Sequence, residues 1–120
     1  MKHTIDLEKY NLRTDLVVDY NNNFKTSKIE ELDGIKTTLV KLNKEEANLI
    51  NKKEGTYITL EFDDVTDSTN KNKVEQSLVK SLKYILKDIM INDSSCLVIG
   101  LGNISSTPDS LGPKVIEQIT

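Results

Sequence analysis

Asp109 is the only ionisable side chain between Asn103 and Leu111, in a stretch that follows the apolar run Cys96 to Leu101 and precedes Pro113. A run that is apolar except at Gly100 is the pattern of a strand buried on both faces, as in a parallel sheet with helices above and below. Gly102 and Asn103 tolerate positive φ, and Pro108 pushes Thr107 toward extended geometry. Pro113 sits where a helix can begin without losing a hydrogen bond. The predicted order is strand, loop, helix. Ligands of open α/β sheets bind beyond the carboxyl ends of the strands, so this loop is expected at the functional edge. Judged by its neighbours alone, Asp109 reads first as a turn or cap residue ahead of the helix. A carboxylate displayed at such an edge is otherwise a group for acid–base chemistry.

Other chemistries find less support. The backbone N–H groups around Gly102, Asn103 and Ser105 could face an oxyanion or a phosphate. The Gly-Leu-Gly pair, however, lacks the third glycine of a dinucleotide fingerprint, and no Gly-Lys-Ser or Gly-Lys-Thr is present. Asn103 can hydrogen-bond a substrate or Asp109, or it can stabilise the loop. Ser105, Ser106 and Ser110 have no nearby histidine in sequence; the single histidine, His3, lies near the N-terminus, which argues against a serine–histidine mechanism. The single cysteine, Cys96, opens the apolar run and reads as a small buried hydrophobe. Asp63, Asp64 and Asp67 lack the glycine and terminal glutamate of a calcium loop and read as a solvated acidic loop. No metal and no cofactor is expected.

The elements that must position Asp109 are legible in part. Met1 to Leu12 is polar, with a weak alternation that an extended arm would give, and Arg13 to Asp19 reads as a short extended segment. Tyr20 to Glu31 reads as a surface loop and the best candidate linker. Ile35 to Leu42 is rich in β-branched residues after an Asp33-Gly34 turn and is predicted to be a strand. Asn43 can cap a helix with Glu45 and Glu46 in its first turn and Gly55 at its end. Ala47, Ile50 and Leu49 would face inward. Thr56 to Phe62 alternates as a second strand. The longest helix is predicted from near Asn72, with Val74, Leu78, Leu82, Ile85, Leu86 and Ile89 inward and Lys80, Lys83 and Lys87 on a solvated face. It would cover the sheet and deliver the chain, by the crossover that parallel pairing needs, to the central strand.

A chain of 120 residues, 37% hydrophobic and 29% charged, suits a single domain or part of one. Its net charge of -3 gives no electrostatic reason for direct nucleic-acid binding. No apolar run approaches the ~20 residues of a membrane span, and no apolar core of a signal peptide is present, so a cytoplasmic location is expected.

Leu97-Val-Ile-Gly-Leu-Gly-Asn103 followed by Thr107-Pro-Asp-Ser-Leu-Gly-Pro-Lys114 resembles the germination proteases, endopeptidases of spore-forming bacteria that degrade small acid-soluble spore proteins. Leu12-Arg-Thr-Asp-Leu-Val-Val-Asp19 resembles that family's pro-segment junction. The resemblance implies a pro-segment over residues 1–15, self-processing at the Asp15-Leu16 bond, and residues 16–120 as the N-terminal part of one peptidase domain. The implied fold is a three-layer α/β/α sandwich like that of the hydrogenase maturation proteases, here incomplete. The implied chemistry is that of an atypical aspartic endopeptidase. Asp109 would be one of two catalytic aspartates, with Gly102, Asn103 and Thr107 binding substrate or supporting the loop.

Two carboxyl groups are needed because one must activate water as a carboxylate while the other protonates the leaving group. The second is implied in a later Ile-Asp-Ala-Leu type motif, which is absent from these 120 residues. Three expectations follow from the resemblance: the isolated chain is inactive, a homo-oligomer or companion chain completes the domain, and the protein works in the forespore or spore core. The alternative is a non-catalytic module that binds spore proteins or a full-length homologue. An open sheet without its later strands would also leave an unpaired edge on Cys96 to Leu101.

Overall fold

The structure is a computed structural model that describes residues 16–20, 24–90 and 94–119. It is an α/β chain, divided between Lys87 and Asp88 into two compact units.

The first unit carries strands β1 (Thr26–Leu32), β2 (Ile35–Leu42) and β3 (Gly55–Glu61), with helices α1 (Lys44–Leu49) and α2 (Ser68–Leu86). The strands form an antiparallel meander in the order β1-β2-β3. The β1–β2 hairpin closes at Leu32 opposite Ile35, with Asp33 at φ +53° and Gly34 at φ +78°. Two left-handed residues give the turn whose twist matches that of the strands. β1 corrects the reading of Tyr20 to Glu31 as a loop. All seven of its residues are exposed and it forms an edge of the sheet, so it carries lysine and glutamate where a covered strand would carry an apolar face.

β2 is the centre of the unit. Val40 and Leu42 on one sheet face pack with Ala47 and Ile50 of the α1 turn, with Val17 from the N-terminal side, and with Tyr20, Phe24 and Tyr57 around them. Val17 stands in a single 3-10 turn, Val17–Asp19, rather than in the expected extended segment, and is 2% exposed. Burial of a side chain of that size contributes about 1.5 kcal/mol or more. Leu49, expected inward, is 78% exposed because α1 stops after six residues and Asn51 reverses the chain at φ +53°. The connection through α1 returns the chain beside β2, and β2 and β3 pair antiparallel.

α1 begins with a reciprocal cap. Asn43 Oδ1 accepts from the Glu46 N–H at 2.8 Å, and Glu46 Oε2 accepts from the Asn43 N–H at 3.1 Å. Glu46 Oε1 also accepts from the Lys25 N–H at 2.7 Å, tying the approach to β1 to the cap. The bonds from Lys25 and then Asn43 hold the Glu46 carboxyl below its ordinary range. A depressed folded value means that this stabilisation is present above the ordinary carboxylate range and is lost as pH falls through the folded value. We expect the thermal midpoint to drop on acidification across that window, and Glu46→Gln to flatten the drop in a pH series of melting curves.

α2 starts four residues earlier than predicted, because Asp67 caps it by accepting from the Thr69 N–H at 2.8 Å. Asp64 likewise accepts from the Thr66 N–H and hydroxyl at 2.8 and 2.7 Å, which holds its carboxyl low. The acidic loop is therefore a turn-and-cap device. α2 packs on β2 and β3 with Val74 and Ser81 buried, while Leu78, Leu82 and Leu86 of the predicted inward stripe are exposed. Small residues let the helix sit on that side, and Ser81 Oγ satisfies itself on the Ser77 carbonyl at 2.9 Å. Among the described residues no helix is long and apolar enough to cross a membrane.

The second unit has no sheet among its described residues. Cys96 to Leu101 makes no strand pairing, and Leu97, Ile99 and Leu101 are 85%, 69% and 83% exposed. This corrects the expectation of a covered central strand, and with it the buried Cys96, which is exposed. An apolar run is buried as a strand only where other elements cover both of its faces.

Candidate active site around Asp109

After the apolar segment come a loop, a 3-10 turn at Thr107–Asp109 and helix α3 (Leu111–Ile119). Local hydrogen bonds close the loop. The Asn103 N–H donates both to the Asp109 carbonyl oxygen at 2.9 Å and to Asp109 Oδ2 at 3.0 Å. The Asn103 carbonyl accepts from the Ser106 N–H at 3.1 Å, and Asn103 Oδ1 accepts from the Ser105 N–H at 3.0 Å. The Asp109 N–H returns to the Ser106 carbonyl at 2.9 Å. Buried Ser110 donates its hydroxyl to the Thr107 carbonyl at 3.0 Å.

Asn103 thus does two jobs with different groups. Its side chain braces the loop, and its backbone N–H fixes one oxygen of Asp109. Asp109 itself is exposed, so the carboxylate is oriented yet open to water. Such a group can take a proton from water or give one to a leaving group, depending on its protonation.

Glycines set how closely α3 returns to the apolar segment. A Cβ on Gly100 would collide with the Gly112 carbonyl, and one on Gly112 with the backbone of Leu101. Gly102, at φ +147°, has no room for a Cβ against the Asp109 carbonyl. Helix backbone rests directly on segment backbone, which presents Asp109 where that segment ends. The Gly100–Gly112 contact is a feature sequence reasoning missed. Its signal is the interruption of an apolar run by one glycine, the mark of a close backbone approach.

Of the expected site residues, Gly102, Asn103, Thr107 and Asp109 come together in this loop. Asp15 lies outside the described residues, as does His3. Leu16 is 50% exposed and immediately precedes the buried Val17. Among the described residues no group of three histidine, cysteine or acidic side chains is placed to hold a metal ion.

The junction thus orients one exposed carboxylate, a group able to serve acid–base chemistry. The germination protease family model matches residues 9–120. The germination protease of Priestia megaterium (strain ATCC 12872 / QMB1551) is 36% identical over 137 residues, a match covering 99% of this chain and 37% of that protein. That of Bacillus cereus (strain G9842) is 37% identical over 135 residues, with 99% and 36% covered, and that of Bacillus anthracis is 36% identical, with 99% and 37% covered. The chain belongs to the germination protease family. It spans little more than a third of the length of these relatives.

Proposed function

We propose that this chain supplies one catalytic aspartate, Asp109, to an endopeptidase that initiates degradation of small acid-soluble spore proteins in the spore interior. The carrying observation is the tethered, solvent-open Asp109 carboxylate in a chain whose residues 9–120 match the family. In this reading residues 1–15 are a pro-segment removed by self-processing at Asp15-Leu16, and residues 16–120 are the N-terminal part of a single peptidase domain. The unpaired apolar segment Cys96 to Leu101 becomes the central strand when further strands add to it, giving the α/β/α sandwich of the hydrogenase maturation protease type. Those strands and the second aspartate come from a companion polypeptide or from the remainder of a longer protein, with homo-oligomerisation as a further means of covering the edge.

Asp109 and the second carboxyl group then divide the work, one as base toward water and the other as acid toward the departing amine. Gly102, Asn103 and Thr107 hold the loop in this mechanism.

The exposed apolar segment also suits a second reading, a module that binds spore proteins without cutting them. A spore-protein peptide tested for binding and for cleavage in the same samples separates the two. The protease reading expects cleavage once the domain is complete; undiminished binding with no cleavage by the completed domain supports the module instead.

A further inference from the structure

The first unit contains a groove of about 800 Å³ between the outer part of the sheet and α2. That volume lies toward the upper part of the ~300–1,000 Å³ range of ligand clefts. Ile35, Leu39 and Ile58 give it an aliphatic floor. Its rim is basic. Lys28 and Lys41 contribute from the sheet, and Lys73, Lys80, Lys83 and Lys87 from the helix, against the carboxylates Glu30 and Asp33. This concentration of positive charge occurs in a chain whose net charge is -3. The solvated helix face of the sequence reading is therefore one wall of a cleft.

We propose that this groove binds an acidic polypeptide segment bearing aliphatic side chains. Charge complementarity favours carboxylates at the rim, and the floor favours aliphatic groups between them. Glu30 already displays the contact an incoming carboxylate would make, since Lys80 Nζ of the helix stands 3.8 Å from its Oε1. Among the described residues the floor has no aromatic ring to stack on a base. Tyr84, the one aromatic lining residue among the described residues, is flanked by Lys87 at 4.2 Å and Lys41 at 5.6 Å from its centroid, so its face is engaged by cations. Among the described residues the groove's basic side chains are all lysines, with no arginine fork for phosphate, which favours a peptide over a nucleic acid. β1 also lies at the sheet edge, where an extended segment can run beside it. The groove lies wholly within the first unit and uses no residue of the Asp109 loop.

Fluorescence anisotropy of a labelled peptide of alternating glutamate and leucine, titrated with the full chain at low salt, tests the proposal. Saturable binding is expected, weakening as salt screens the rim. Lys28→Gln combined with Lys73→Gln should weaken it about fivefold or more, since each exposed pair contributes up to ~1 kcal/mol. Lys44→Gln, on α1, should leave it unchanged. Amide chemical shifts of the unsubstituted chain should move along β1 and α2 on peptide addition, a readout independent of any variant. Absence of binding, equal binding of the same peptide with glutamine in place of glutamate, equal binding by the double variant, or preference for single-stranded DNA overturns the proposal.

Discussion

Asp109→Asn is expected to lower peptide cleavage by about 10²–10⁴-fold, the range for loss of a general acid or base. The background is a chimera in which residues 1–120 replace the matching part of a full-length relative. The substitution keeps an oxygen for the Asn103 N–H, which holds Asp109 Oδ2 at 3.0 Å, so the loop should survive while proton transfer does not. The loss should therefore fall on kcat, with KM little changed, because a group that acts only at the transition state contributes little to substrate binding. A comparable loss in KM would instead assign Asp109 to substrate binding.

Gly102→Ala should have the second-largest effect, and it acts on the frame that holds the carboxylate. At φ +147° an L-residue is strained, a cost of about 1–3 kcal/mol, and the new Cβ would collide with the carbonyl that Asn103 N–H holds. Close packing lets neither side yield, since Pro113 Cδ stands 3.0 Å from the same position. The Asn103 amide should lose its hydrogen-exchange protection and the chimera most of its activity. Gly55→Ala is the internal comparison: its φ of +145° imposes similar backbone strain, but no atom lies within 4 Å of the added Cβ. Equal exchange at Asn103 before and after Gly102→Ala would show that the loop does not depend on this glycine.

Local chemistry was the legible part of this chain. The Asp33-Gly34 turn, strand β2 and the Asn43 cap follow from residues that are neighbours in sequence, and the structure has all three. Asp67 is legible in principle as a helix cap, but its neighbours Asp63 and Asp64 make the stretch read as a solvated acidic loop. β1 was not legible because an exposed edge strand has no apolar alternation, only charges that keep other strands away. The Cys96 to Leu101 segment failed in the opposite way. Its composition specifies burial on two sides, but burial depends on neighbours that local sequence does not describe, and here it is exposed. At the candidate site the expected backbone freedom is used at Gly102, at φ +147°, but not at Asn103, which does not adopt positive φ and serves through its hydrogen bonds. The bond from the Asn103 N–H to the Asp109 carboxylate depends on a six-residue return of the chain and emerged only with the fold.

In the proposed function Asp109 is half of an acid–base pair whose other half lies outside residues 1–120. Cleavage of a spore-protein peptide should be measured side by side with the isolated chain and the chimera. No turnover by the isolated chain and clear turnover by the chimera is the predicted result. Turnover by the isolated chain that disappears in Asp109→Asn would contradict the requirement for an outside carboxylate, and turnover by the chimera that survives Asp109→Asn would remove Asp109 from the chemistry altogether.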